Sequence, residues 1–237
     1  MDTRARIVIA ENHTMVAEGL RKLLENEFQL LEIVSNGRDL LKIVEDVRPD
    51  VVLLDIGMPL LNGIEAARYF QKAPSPNIKV VVVTAHNESE YVIEAFRAGV
   101  SGYVLKRCAV SELVTAIREV LEGRRYITPL VAEHVVAAAT NPQARRNSMG
   151  LTARQREVLQ LVAEGYTAKE IANSLNLSVK TAVFHKMAIM DKLGLRTTAE
   201  LTRYALEHGI TRVAAQQLHV PTDAGLGSAL AAVAAEF

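Results

Sequence analysis

Val51-Val52-Leu53-Leu54-Asp55-Ile56-Gly57-Met58-Pro59-Leu60-Leu61-Asn62-Gly63 passes from four apolar residues to a carboxylate and then into a turn shaped by Pro59 and Gly63. A short, uninterrupted aliphatic run bounded by turn residues predicts a strand covered on both faces, the habit of parallel sheets. Comparable runs flank it: strands are expected at Arg6–Ala10, Leu30–Val34, Val51–Asp55, Val80–Thr84 and Tyr103–Leu105. Amphipathic segments alternate with them. Val16, Leu20, Leu23 and Leu24 share one helical face, Leu40, Ile43, Val44 and Val47 share another, and a last helix is expected near Ser111–Glu122. This alternation predicts an α/β unit over residues 1–125, a five-stranded parallel, doubly wound sheet.

Beyond residue 125 the pattern changes. Residues 126–150 are expected to form a helical extension and a linker, the latter in the polar, turn-rich stretch from Thr140 to Gly150. From 151 to 212 the β signal is gone, and capping-box patterns join Thr152 to Gln155, Thr167 to Glu170 and Thr197 to Glu200. A small all-α unit of four helices is expected there, followed by an Ala-rich tail over 213–237.

Composition narrows the function classes. No run approaches the roughly eighteen apolar residues of a membrane helix, and Met1 to Arg6 is charged, so a soluble cytoplasmic protein with no membrane partner is expected. Cys108 is the single cysteine of the 237 residues, which leaves no intrachain disulfide or cysteine metal cluster and reads as a small hydrophobe. Formal net charge is zero, but residues 1–140 hold 16 Lys and Arg against 19 Asp and Glu, whereas residues 151–212 hold 9 against 6. That asymmetry suits an acidic regulatory half and a nucleic-acid-facing half.

In an open parallel sheet, reactive groups gather where the loops diverge at the carboxyl ends of the strands. Strand one ends at Glu11-Asn12-His13, strand three at Asp55, strand four at Thr84 and strand five at Lys106. Carboxylates, a hydroxyl and an ammonium meeting in one pocket suit phosphoryl transfer onto an aspartate. Asp55 is the candidate nucleophile. Lys106 would neutralise the phosphoryl oxygens and Thr84 would donate a hydrogen bond to them. Glu11, Asn12, Asp55 and the backbone carbonyl of Gly57 supply the hard oxygens expected for Mg2+. His13 and His86 read as loop residues.

The Ile7–Leu24 run, the Asp55–Gly63 segment, Val83-Thr84-Ala85 and Gly102-Tyr-Val-Leu-Lys106 together resemble the receiver domain of two-component response regulators, a flavodoxin-like fold, over residues 5–122. The resemblance implies phosphorylation of Asp55, a Mg2+ requirement, a sensor histidine kinase as partner, and a switch through Thr84 and Tyr103. The chain departs from the family where receivers usually place two acidic residues and this sequence has Glu11 and Asn12. One carboxylate fewer predicts weaker Mg2+ binding.

Residues 151–212 carry a second constellation in Leu151–Leu159, Gly165–Ala172 and Leu177–His185, with Ile171, Ala172 and Leu175 apolar, a tight turn at Asn176-Leu177 and Ser178 placed to cap a helix from Lys180 to Leu193. This run resembles the LuxR-type helix-turn-helix of the NarL/FixJ class of response regulators. The resemblance implies DNA as partner, a homodimer on paired half-sites, and Lys169, Ser178, Lys180, Thr181 and Lys186 as phosphate or base contacts. Val183, Phe184 and Met187 take the positions that face base edges. They lack the Lys or Arg common there; they can meet thymine methyls but cannot form bidentate contacts to guanine. Burial of Phe184 and Met187 in the helical core is the alternative.

The sequence is thus expected to encode a regulator and not an enzyme: a DNA-binding response regulator in which phosphorylation at Asp55 controls dimerisation and transcription. The alternatives are a phosphorylation-independent regulator with an atypical receiver, and an α/β phosphohydrolase. The last is disfavoured because Gly57, two residues after Asp55, is not a carboxylate.

Overall fold

The structure, a computed structural model, describes residues 4–72, 78–108, 110–132 and 150–211. Strands β1 (Arg6–Ala10), β2 (Gln29–Val34), β3 (Val51–Leu54), β4 (Lys79–Thr84), β5 (Gly102–Leu105) and β6 (Tyr126–Ile127) form one sheet in the order β2-β1-β3-β4-β5-β6. Every pairing is parallel. The alternate residues of each central strand divide between two cores. Val8, Val52, Leu54 and Val82 pack beneath α2 (Gly37–Val47), α3 (Gly63–Lys72) and α4 (Ser89–Arg97). Ile7, Ile9, Val51, Leu53, Val81 and Val83 pack beneath α1 (Thr14–Leu24) and α5 (Val110–Leu121). This two-sided burial is the physical reason that the strands read as continuous apolar runs.

Five strands were expected, and the structure has a sixth. Tyr126 and Ile127 pair with Gly102 and Tyr103, so the presumed helical extension opens with a strand, and residues 129–132, the last described before residue 150, are helical. Two residues carry no periodicity from which a strand can be read. What places them is tertiary: the exposed edge of β5 offers the Tyr103 carbonyl to the Thr128 N–H at 3.0 Å, and the Leu105 N–H donates to the buried Thr128 hydroxyl at 3.3 Å. The expected linker over 140–149 and the tail over 213–237 lie outside the described residues.

The helical unit comprises α6 (Ala153–Ala163), α7 (Ala168–Ser174), α8 (Val179–Leu193) and α9 (Thr198–Glu207). Thr152, Thr167 and Thr197 each form the reciprocal capping box with Gln155, Glu170 and Glu200. Ser178 caps α8 by accepting from the Thr181 N–H at 3.1 Å, and Asn176 makes the preceding turn with φ of 52°. Among the described residues no helix is long and apolar enough to cross a membrane.

β1 and β3 are neighbours, and β2 lies beyond β1 on the other side. The strand order therefore reverses between the ends of β1 and β3, the topological switch point at which such sheets hold their ligands. The loop leaving β3 folds back tightly: the Gly63 N–H donates to the Ile56 carbonyl at 3.0 Å, and a Cβ on Gly63 would lie 2.3 Å from the Asp55 carbonyl oxygen. Gly63→Ala should therefore destabilise the sheet unit by about 1–3 kcal/mol through overpacking. Urea unfolding would show this as a lowered midpoint; an unchanged midpoint would contradict the tight return.

Candidate functional site

The end of β1 is locked to both of its neighbours: the Asp55 N–H after β3 donates to the Ala10 carbonyl, and the Glu11 N–H donates to the Val34 carbonyl of β2, both at 2.9 Å. Both carboxylate side chains point into the crevice and are nearly buried, with 2% exposure for Glu11 and none for Asp55. Two buried carboxylates require a compensating charge. Lys106, delivered by the end of β5, provides it: its Nζ lies 2.5 Å from Glu11 Oε2 and 2.9 Å from Asp55 Oδ2. The longer Glu11 side chain is what reaches this ammonium alongside Asp55.

Thr84 ends β4 beside this pair, and its carbonyl accepts from the Lys106 N–H at 2.8 Å. Its fully buried hydroxyl accepts from the His86 N–H at 3.3 Å, while the Tyr103 hydroxyl donates to the His86 carbonyl at 3.0 Å. One peptide segment thus joins the two residues of the expected switch. Tyr103 is itself fully buried, and that burial pushes its phenol well above the ordinary range. Cys108 packs against both sheet cores, and burial raises its thiol.

The site can hold a hard cation. The Asn12 side-chain carbonyl oxygen, next in sequence to Glu11, is buried without a hydrogen-bond partner, an oxygen that could serve as a further ligand. Gly57 lies in the adjoining loop. His13, read from the sequence as a loop residue, takes part as well: its Nδ1 is 2.8 Å from Glu11 Oε1, and Glu11, His13 and Asp55 are close enough to share one ion. The signal was present in the Glu11-Asn12-His13 triplet, but a histidine two residues from one carboxylate becomes informative only when β3 brings the second.

The loop after Asp55 meets the helical unit directly, and sequence reasoning missed this contact. Gln160 of α6 grips it from two sides: its amide nitrogen donates to the Met58 carbonyl at 2.9 Å, and its side-chain oxygen accepts from the Asn62 N–H at 2.8 Å. Glu164 accepts from the Leu60 N–H at 3.1 Å, although burial raises its carboxyl. Between these anchors Leu60 adopts φ of 67° and packs against the helical core. Around the clamp, Glu157 pairs with Arg38 at 2.5 Å and accepts from Tyr69 at 2.9 Å, and Arg156 pairs with Glu65 at 2.5 Å. A cleft of about 650 Å3 lies beside the clamp, lined by residues of both units that include His86, Tyr91, Arg156 and Leu206.

The residues expected to touch nucleic acid lie elsewhere on the helical unit. Lys169, Ser178, Lys180, Val183, Phe184 and Met187 are exposed, and Thr181 and Lys186 are half-buried. Lys186 is tied by its ammonium to the Thr198 hydroxyl at 2.7 Å, bracing α8 on α9. Phe184 and Met187 are not core residues.

Two family profiles match the chain: "Response regulator receiver domain" over residues 7–118 and "Bacterial regulatory proteins, luxR family" over residues 149–205. The transcriptional regulatory protein MctR of Rhizobium johnstonii is 36% identical over 210 residues, covering 87% of this chain and 95% of that protein. The response regulator GacA of Pseudomonas aeruginosa is 32% identical over 213 residues, covering 88% and 99%. Among solved structures, RcsB from Salmonella enterica serovar Typhimurium bound to promoter rprA is similar with a TM-score of 0.52 and 26% identity, over 84% of this chain and 97% of that one.

Replacing Gln160 with Ala would leave the Met58 carbonyl and the Asn62 N–H without their partner, a cost of about 1–3 kcal/mol for buried groups. Gln160→Ala should therefore loosen the domains, and small-angle scattering should show a larger radius of gyration. An unchanged radius would contradict the clamp.

Proposed function

The chain belongs to the two-component response regulators that join a receiver domain to a LuxR-family DNA-binding domain, and from that membership we propose that phosphorylation of Asp55 controls docking of the two domains and, through it, DNA binding. The observation that carries the reading is that Asp55, Glu11 and Lys106 converge at the sheet's switch point, one residue before the loop that α6 grips.

A sensor histidine kinase or a small acyl phosphate supplies the phosphoryl group. An Asp55 oxygen forms a bond to phosphorus as the bond from phosphorus to the donor's nitrogen or oxygen breaks, and the donor keeps the electron pair. Lys106, paired with Asp55 and Glu11, neutralises the incoming oxygens in this reading. Thr84 exchanges its hydrogen bond from the His86 N–H for one donated to the phosphoryl group, and the shift of His86 is transmitted to Tyr103. Glu11, Asp55, the Asn12 carbonyl and the Gly57 carbonyl are the groups that would hold Mg2+, which when bound contributes charge neutralisation. New charge at Asp55 also presses on residues 56–62, so the clamp from Gln160 and Glu164 weakens and α6 detaches. The freed helical domains pair as a homodimer on two DNA half-sites, with Lys169, Ser178, Lys180, Thr181 and Lys186 seating them on phosphates. The protein acts in the cytoplasm as a regulator and not as an enzyme.

Intact-protein mass spectrometry after incubation with acetyl phosphate and Mg2+ should show one added phosphoryl mass, absent from Asp55→Asn. No added mass with a phosphodonor, raised Mg2+ and a kinase would instead support phosphorylation-independent regulation. Asn12→Asp should lower the Mg2+ concentration for half-maximal phosphorylation by about tenfold, because one added charge at contact distance is worth about 1–4 kcal/mol; equal Mg2+ dependence would show that Asn12 lies outside the shell.

A further inference from the structure

α8 turns an apolar face outward. Val183, Phe184 and Met187 are 43%, 68% and 54% exposed, whereas Ala182 and Ile189 on the opposite side are buried in the helical core. At 3.6 residues per turn, these three exposed residues fall within an arc of about 100° that also contains Lys180. Among the described residues docking leaves this face open, because the hydrogen bonds and ion pairs to the receiver come from α6 and from the Ile210 carbonyl beyond α9.

The surroundings of the face say what it meets. Lys180 is exposed at its N-terminal end, the Ser178 and Thr181 hydroxyls lie beside it, and Lys169 is exposed on α7. Cations and hydroxyls at the rim are the groups that hold a helix against phosphates. The three large side chains between them can neither donate nor accept a strong hydrogen bond, and bidentate readout of guanine needs Arg or Lys. The one apolar group on a base edge in the major groove is the thymine 5-methyl.

We infer that α8 recognises its half-site through thymine methyls, with Phe184 and Met187 as the principal contacts and Val183 beside them. Its specific sites are T-rich at the contacted steps and owe no obligatory guanine to these three residues. The inference rests on the reading of the chain as a DNA-binding regulator, and it adds the chemical class of sequence that the regulator selects.

Replacement of dT by dU removes the methyl and nothing else, which makes it the direct probe. A duplex enriched by the full chain from a random library would be compared, position by position, with its dU counterparts. Each contacted methyl lost should weaken binding about threefold to fivefold, the effect of re-exposing one buried methyl group. Phe184→Ala combined with Met187→Ala, both at exposed positions, should bring the dT-to-dU ratio toward one while leaving the salt dependence set by the lysines unchanged. Equal affinity for dT and dU, or an enriched site built on guanines facing α8, overturns the inference and leaves DNA binding standing. A chain that binds no duplex of either kind overturns both readings together.

Discussion

The two-sided grip of Gln160 on the Met58 carbonyl and the Asn62 N–H is the contact on which the domain arrangement depends. A side-chain amide offers one donor and one acceptor in a fixed plane, and here both are used on one loop of the other domain. Because Gln160 is fully buried, neither bond can be exchanged for water without opening the interface. Leu60 sits between the two anchors in a left-handed conformation that costs a non-glycine residue about 1–2 kcal/mol. Its packing against the helical core offsets that cost only while the domains are docked. The loop that follows Asp55 is therefore a strained element held by its neighbour.

The charge arrangement at Asp55 fits this role. Glu11, Asp55 and Lys106 form a nearly closed triad with two negative groups against one positive. Such a cluster is satisfied at rest and leaves a net attraction for a cation. A glutamate in the first acidic position reaches Lys106 directly, and an asparagine in the second offers a neutral oxygen that lacks a partner. A metal bound there would share these carboxylates with Lys106.

Much of this was legible in the sequence because it follows from local chemistry. The strands announced themselves as aliphatic runs because both faces of the sheet are covered, and the capping boxes at Thr152, Thr167 and Thr197 formed as spaced. Glu11, Asp55, Thr84 and Lys106 could be picked out because each follows such a run. β6 was not legible, since two residues acquire strand geometry only from the edge they pair with. Nor was the interface: Glu157, Gln160 and Glu164 recur at helical spacing on α6 with nothing in their own segment to mark them as buried. Their partners in the receiver come from a loop and helices about a hundred residues away in sequence, which no local pattern encodes. For Phe184 and Met187 the outward reading had burial in the helical core as its alternative, and the choice was made by which side of α8 carries Ala182 and Ile189.

The coupling of Asp55 to the clamp is the central claim, and hydrogen exchange read by mass spectrometry tests it most directly. Amides of residues 56–62 and of α6 would be followed with and without phosphodonor and Mg2+, in the parent chain and in Asp55→Asn. The account predicts that both segments lose protection together on phosphorylation and that neither changes in Asp55→Asn. A chain that carries the phosphoryl group while α6 keeps its full protection would contradict it.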